Sequence, residues 1–443
     1  ANVSITDNDV GNTAPVIGSI PPLAVVITLA DNPSTVFTVS DGESAPGTLA
    51  LSVLSSSNAA VLPVANVTLT NVDGTVTAVV LPISMGYSDL TIQVSDGALT
   101  ATQILRVAAS AAPLLPSQTR YLFGTCDAST AVAVDAATML VADDENQALR
   151  LYSRTASGYP IASFDYTTAL GLTDVSSGLP REVDIEASTR IGSRIYWLGS
   201  HSNASGGNQR PNRSRLFATD ITGLGAAATL SFAGYYAGLK TDLLAWDSGN
   251  GHGLGANFFG FTASTATGII PETVDGSGFN IEGLTVAPDG TTGWLAFRAP
   301  ISPASARTKA LIVPITNFAA LVGGSPAAGP AAFGAPIQLD LGGRGIRSIE
   351  RSFSVGGYVI VAGPAATATG AAPNDFRLYR WSGVATDAPR ITSASLAGLS
   401  STGSPEGIVE VPANAGSTTA IQMIADSGAA NWYGDAPGAA CKD

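Results

Sequence analysis

Four short segments of the 443-residue chain repeat one frame with a charged residue in a matching slot: Asp184-Ile185-Glu186, Asn280-Ile281-Glu282-Gly283-Leu284, Gly345-Ile346-Arg347-Ser348-Ile349 and Ser404-Pro405-Glu406-Gly407-Ile408. Each slot heads a short apolar run of strand length. Second runs end in polar residues: Ser200-His201-Ser202, Phe297-Arg298 and Ala425-Asp426 after three of these slots, and Asp143-Asp144-Glu145 in a hairpin ahead of the first. If the runs are equivalent hairpins of one closed fold, the start of the first strand and the end of the second meet near a common axis. The charged residues then converge there, joined by the loop Gln209-Arg210-Pro211-Asn212-Arg213 and by an insert over 235–278.

Such a convergence could do three kinds of chemistry. Carboxylates of Glu186, Glu282, Glu406, Asp143 and Asp426 could hold Ca2+ through oxygen ligands. A metal there would polarise a phosphoryl or carboxyl ester. Glu186, His201 and Glu282 would then be the catalytic groups, with His201 as a partner for proton transfer. Arg210, Arg213, Arg298 and Arg347 could grip an anionic ligand bidentately. The alternative is that these charges pair with one another and lock neighbouring strands together. His252, in Gly-Asn-Gly-His-Gly, reads as a mobile loop residue. No GxSxG elbow, Walker loop or HExxH motif occurs, which disfavours the corresponding hydrolase, nucleotide-binding and zincin chemistries.

The elements that must position these residues read as groups of four short strands from about residue 119 onward. The first is 131–135, 139–142, 149–153 and 161–166, with Asp127 or Thr130 as its charged or polar head. The second is 187–191, 194–199, 215–219 and 229–233; the third is 284–287, 293–297, 310–315 and 336–341. The fourth is 349–354, 358–362, 376–381 and 390–395, and a fifth starts at 407–411 and 420–425. Four-strand units repeated around a ring predict a β-propeller over 119–443. Five blades are expected, six if the insert hides one. Residues 12–110 alternate in period two between turn clusters such as Ser40-Asp41-Gly42 and Ser95-Asp96-Gly97, which predicts a β-sandwich. Residues 111–118 read as a linker, and 1–11 as a single strand, free or left from a preceding domain. The fold class is therefore all-β. Asp31, Asp41, Glu43 and Asp96 could hold Ca2+ at a domain junction, but turn chemistry accounts for them more simply.

Composition narrows the partners. The net charge is −13 with 12% charged residues, 49 Gly and 26 Pro, and lysine occurs only at positions 240, 309 and 442. Nucleic acid needs clustered cations and is excluded as a partner; an anionic small molecule or another surface protein is expected instead. No apolar run reaches membrane-spanning length. The chain opens on Ala1 without a signal peptide, so a mature form or a fragment is expected. Two unrelated buried thiols would explain Cys126 and Cys441. Their positions favour a disulfide closing the ring between the start of the first blade and the chain end. Such a loop is worth roughly 4–5 kcal/mol in the chain-entropy model and implies an oxidising, extracellular setting. Asparagine sequons stand at Asn2, Asn66, Asn203 and Asn212.

Several stretches resemble known families. Residues 1–11, ending Asp7-Asn8-Asp9, resemble the last strand of a Calx-beta domain, which suggests self-assembly by strand donation. Asn12-Thr13-Ala14-Pro15 with Val94-Ser95-Asp96-Gly97 resembles bacterial Ig-like or cadherin-like repeats, usually spacers. The runs Val183–Glu186, Ile195–His201, Arg210–Ala218, Phe279–Leu284, Ala296–Pro300, Leu341–Arg347 and Pro405–Ile408 look like an uncharacterised bacterial propeller family. They are similar, more distantly, to phytase-like propellers with esterase activity, in which Gly follows the acid; here Ala187 stands after Glu186. The resemblance implies a cell-surface or secreted protein. It would be a binding or structural module with a Ca2+ or anion site, a metal-dependent phosphoesterase or esterase, or a filament or sheath subunit joined through 1–11.

Overall fold

Strands formed by short β-branched runs dominate the computed structural model, which describes residues 11–434 apart from 112–117, 126, 353–355, 368–372, 401–402, 413, 417, 429 and 431. The chain divides into two units. The first comprises described residues of 11–123 together with 156–159 and 432–434. Its strands are β1 (Val16–Ile17), β2 (Leu23–Val26), β3 (Thr35–Ser40), β4 (Ala50–Ser56), β5 (Val67–Val72), β6 (Thr75–Val80), β7 (Gly86–Ser95) and β8 (Thr100–Ser110). They form two four-stranded sheets, ordered β1-β3-β6-β5 and β2-β8-β7-β4. The inward residues of both, among them Phe37, Val76, Leu90, Ile92 and Leu105, build one core. Strand β3 alternates buried and exposed residues along its whole length, as one wet face and one dry face require.

The acids singled out in this unit serve its turns. Asp41 Oδ1 accepts the amides of Glu43 and Ser44 at 2.9 and 2.6 Å. Asp96 Oδ1 accepts those of Ala98 and Leu99, both at 2.6 Å. Glu43 accepts the amide and hydroxyl of Thr13, and Asp31 the amide of Ser157.

The second unit spans 124–155 and 160–430. Its first sheet holds β9 (Ala128–Ala133), β10 (Thr138–Asp143), β11 (Ala148–Ser153) and β12 (Ala162–Asp165). A short hairpin, β13 (Val175–Ser176) and β14 (Leu179–Pro180), leads to β15 (Ile185–Ile191), β16 (Arg194–Gly199), β17 (Leu216–Thr222) and β18 (Thr229–Tyr236). The next sheet is β19 (Asn280–Val286), β20 (Gly293–Ala299), β21 (Ala310–Ile315) and β22 (Ile337–Leu339). Then come β23 (Gly345–Arg351), β24 (Tyr358–Gly363), β25 (Arg377–Trp381) and β26 (Arg390–Ile391), and finally β27 (Ser404–Glu410) with β28 (Gln422–Asp426). Each sheet is an antiparallel meander in chain order. The first strands neighbour one another in a cycle: β9 beside β15, then β19, β23, β27 and β9 again.

Apolar clusters lie between successive sheets, one joining the first and second, and others continuing through to β27. Strands β19 and β20 are consequently buried on both faces throughout, which erases their alternation. This part of the chain is a propeller-like all-β fold. Arg154 ties the cycle shut, since it donates to Glu410 and to Gln422, both at 2.9 Å. No helix among the described residues is long and apolar enough to cross a membrane.

Three expectations change. First strands begin two to four residues earlier than their apolar alternation indicates, so the charged residues lie within them rather than before them. The run Arg120-Tyr121-Leu122-Phe123, which by sequence reads as a strand outside the four-strand groups that closes the ring onto the last of them, instead forms a lone parallel bridge from Leu122 to Gly158. Tyr121 and Phe123 there join a ring cluster with Tyr159 and Trp432. The insert adds no sheet among the described residues; it holds α1 (Leu239–Ser248) and the short α2 (Phe261–Ser264). Residues 1–10, Cys126 and Cys441 fall outside the described residues, so the strand-donation and disulfide expectations do too.

Neighbouring sheets approach so closely at Gly345 that a Cβ there would lie 2.0 Å from the Arg298 carbonyl oxygen. Gly345→Ala is expected to cost roughly 1–3 kcal/mol, as overpacking does. The measurement is a lower urea midpoint at unchanged slope.

Candidate functional site

The repeated frame has a common backbone cause. Against its second strand, each of β15, β19, β23 and β27 slips register at a charged residue near its start: Glu186, Glu282, Arg347 and Glu406. The β19–β20 pair slips again at Arg298, and the β27–β28 pair at Val409. A bulge leaves one residue out of the pleat alternation and re-aims its side chain. The slip in the β9–β10 pair skips Ser129, so Ser129, rather than Asp127 or Thr130, holds the fifth equivalent position. Ser129, Glu186, Glu282, Arg347 and Glu406 all line one cavity of about 580 Å3. Gly283 follows Glu282 because a Cβ there would meet Ala296 Cβ at 2.7 Å.

Three arginines brace the wall. Arg347 joins Glu282 at 2.9 Å and is paired through both nitrogens with Glu406. Arg298 holds Glu282 at 3.0 Å and Glu272 of the insert at 2.7 Å, and donates to the Ala366 carbonyl at 2.9 Å. Arg213 joins Asp184 and Glu182, each at 2.9 Å, and donates to Ser202 Oγ at 2.8 Å. The backbone of Asp184 takes the left-handed conformation, φ +60°, a region asparagine, aspartate and histidine enter more readily than most residues. Its carbonyl accepts the Ser200 amide at 2.8 Å. The cavity is lined by seven carboxylates, Asp144, Asp184, Glu186, Glu272, Glu282, Glu406 and Asp426, against these three guanidinia.

The excess negative charge gathers on one side. Carboxylate oxygens of Asp144, Asp184 and Glu186 lie within 4.8 Å of one another, and Asp144 Oδ1 is buried without a hydrogen-bond partner. Burial, then the charges of Asp184 and Asp127, push the Asp144 carboxyl up to about 9. Burial raises Asp184 to about 6, with Arg213 opposing. Glu186 is raised by burial and by Glu282, Asp184 and Asp144. Burial lifts Glu406 to about 8 despite Arg347, and Asp426 is raised as well, chiefly by burial. Burial works against the Arg347 charge, but Glu282 and Glu406 outweigh it and hold the guanidinium ionised. An all-oxygen donor set whose members resist ionising together suits a hard divalent cation.

No family model matches the chain, and no curated protein matches it. Among solved structures, a quinonprotein alcohol dehydrogenase-like protein of Bacteroides thetaiotaomicron is 8% identical, covering 94% of this chain and 81% of its own, with a TM-score of 0.29. The Bacteroides thetaiotaomicron "Putative phosphatase" is 8% identical over 90% and 76%, with a TM-score of 0.26. A chimeric titin Z1Z2 is 12% identical over 23% and 99%, with a TM-score of 0.18. Similarities of this size bear on neither mechanism nor ligand.

The geometry departs from the sequence expectations at several residues. Asp143 does not line the cavity; it pairs with Arg150 at 2.6 Å and accepts from Thr125 at 2.9 Å. Its neighbour Asp144 lines the cavity in its place, its amide donating to the Asp127 carbonyl at 3.2 Å. His201 does not meet Glu186. Its backbone is left-handed, φ +60°, and its fully buried ring holds the Gly199 carbonyl at 2.7 Å through Nδ1. Burial first, with Lys240 and Arg215 adding to it, depresses the imidazole to about 3, which favours its neutral form. Arg210 lines a separate depression.

His252 is pinned rather than mobile. Its side chain is fully buried against Asp247 at 3.2 Å and the rings of Trp246 and Phe259. Asp247 in turn accepts the amides of Phe259 and Phe261 and so organises the insert. The sequon asparagines Asn203 and Asn212 are buried. Asn212 Oδ1 accepts the amides of Thr173 and Asp174, while Nδ2 donates to two carbonyls. Neither presents an amide for glycosylation. Asp184 and Asp144 stand in segments that the sequence already marks, Asp184-Ile185-Glu186 and Asp143-Asp144-Glu145, although neither is among the expected ligands; nothing local marks Glu272.

Proposed function

We propose that this protein is a divalent-cation-dependent binding module of a secreted or cell-surface assembly: a five-bladed β-propeller preceded by an Ig-like sandwich. Ca2+ is the ion proposed, held by Asp144, Asp184 and Glu186. Five blades rest on the closed cycle of first strands and on the bulge near the start of each first strand. The sandwich reading rests on two four-stranded sheets over one core. One observation carries the cation: three clustered carboxylates, one with a buried unpartnered oxygen, beside arginines already committed to other acids.

A bound cation would offset the surplus negative charge and open the cavity to an anionic ligand, which the bare wall repels. Calorimetry with Ca2+ tests this. The wild type is expected to bind, and Glu186→Gln and Asp144→Asn to bind at least about tenfold more weakly, a loss of about 1.4 kcal/mol or more. Equal affinity in both variants would remove the proposed site.

A second reading, a metal-dependent phosphoesterase or esterase, places an ester beside the same cation, which would polarise its oxygen when bound. The wall that carries Arg298 and Arg347 would face the negative charge that develops on the ester. Turnover of a panel of phosphoesters and carboxylesters by the Ca2+-loaded protein, lost together with Ca2+ affinity in Glu186→Gln, would support it. Absence of turnover in folded, loaded protein would eliminate it.

A further inference from the structure

The loop 209–214 and helix α1 enclose a second cavity of about 330 Å3, lined by Gln209, Arg210, Pro211, Ser214, Lys240, Thr241, Leu244 and Thr265. In a chain with net charge −13, the ionisable side chains lining it among the described residues are an arginine and a lysine, with no carboxylate. Among the described residues neither is ion-paired: the Arg210 guanidinium makes one long hydrogen bond, 3.4 Å to the Gln209 carbonyl, and its Nε is buried without a partner. The acids nearby are committed elsewhere. Glu182 is held by Arg213. Asp242, in the first turn of α1, accepts from Tyr236 and from the Ala331 amide.

The cations sit where the backbone adds to them. Lys240 and Thr241 belong to the first turn of the ten-residue α1, whose N-terminal amides present partial positive charge. Ser214 and Thr241 bring hydroxyls to the same wall, while Pro211 and Leu244 supply apolar surface. Two unpaired cations, two hydroxyls and a helix start are the donor set of an oxyanion site.

We propose that this cavity binds a phosphate or sulfate group, with Arg210 and Lys240 as its charged contacts and Pro211 and Leu244 as the seat of a small organic body attached to it. The site is separate from the acidic cavity, with which it shares no lining residue, and does not depend on a cation there. Burial, then the neighbouring Arg213, lowers the Lys240 ammonium to about 8. That is the direction expected of a lysine held among cations without its anion.

Lys240 is one of three lysines, so amine-reactive labelling read by peptide mass spectrometry reports on it individually. Inorganic phosphate and phenyl phosphate, compared with NaCl at matched ionic strength, are expected to slow labelling of Lys240 at least fivefold. Lys309, which is exposed and paired with Asp340 at 2.9 Å, should be unaffected. By calorimetry, Lys240→Met and Arg210→Gln should each weaken phosphate binding at least tenfold, Lys240→Arg should retain most of it, and Glu186→Gln should leave it unchanged. Equal protection of Lys309, or phosphate affinity untouched in both Lys240→Met and Arg210→Gln, would overturn the proposal. Loss of phosphate binding in Glu186→Gln would also overturn it, because the anion would then belong to the acidic cavity. The wild-type labelling result stands even if a variant fails to fold.

Discussion

In a chelator, the protein is expected to lose stability as pH rises from about 5 to 9, and Ca2+ is expected to restore most of the loss. The sign follows from the raised carboxyls. Asp184, Glu406 and Asp144 titrate near 6, 8 and 9 in the folded protein, whereas unfolded carboxyls titrate near 4. Between the two values the folded state holds protons that the unfolded state has released. Each such group therefore subtracts about 1.4 kcal/mol of stability per pH unit until its folded value is passed. The contribution is fully favourable below about pH 4 and is gone above the folded value.

Acids depressed by hydrogen bonds act oppositely and only at lower pH; Asp289, held near 2 mainly by Thr292 and Thr291 against the pull of burial, loses its contribution as pH falls below about 4. A cation at Asp144, Asp184 and Glu186 competes with the protons, so its stabilisation grows as pH rises. Glu350, raised to about 8 by burial, lies outside the cavity lining and adds to the fall without being rescued. Melting temperatures at pH 5, 7 and 9, with EDTA or with millimolar Ca2+, check this. A chelated protein whose melting temperature rises from pH 5 to 9 would contradict the electrostatic account. A Ca2+ increment that does not grow with pH would contradict the cation site.

Replacing Arg347 by methionine is expected to be the most damaging single change in the cavity, costing about 3–5 kcal/mol. Arg347 is 5% exposed and stands between Glu282 and Glu406. Removing it leaves two buried carboxylates facing each other without their shared counter-ion, and the cost of burying charge is then uncompensated. Lysine should rescue only part of the loss, because one ammonium cannot reproduce a bidentate contact to Glu406 together with a bond to Glu282. Urea midpoints for Arg347→Met and Arg347→Lys, with Glu406→Gln combined with Arg347→Met as a third variant, would show it. The combined variant should recover part of the stability of Arg347→Met; if Arg347→Met alone stays within about 1 kcal/mol of wild type, the ionic spine is dispensable.

This spine also qualifies what the arginines are for. The reading of Arg213, Arg298 and Arg347 as a grip for an anionic ligand came from residue type alone, and the structure engages each with at least two acids. Among the described residues Arg210, on the same loop as Arg213, makes no direct ion pair. A three-residue difference in position separates them: Arg213 contacts both Asp184 and Glu182, whereas Arg210 acts on Glu182 only at longer range.

The sequence by itself determined the all-β class, the repeated hairpins and the convergence of Glu186, Glu282, Arg347 and Glu406. Turn residues, strand-length apolar runs and one recurring charged slot are local signals that survive in a linear reading. It could not place the start of each first strand, since a bulge breaks the period-two alternation at the very residue that matters. Nor could it choose between Asp143 and Asp144, which depends on which of them Arg150 and Thr125 hold away from the cavity. Only the tertiary structure decided that His201 turns inward, that His252 is walled in by aromatic rings, and that Glu272 reaches Arg298 from a distant insert. Those outcomes follow from left-handed backbone geometry and long-range packing, in which neighbours in space are set by the closing of the ring rather than by spacing along the chain.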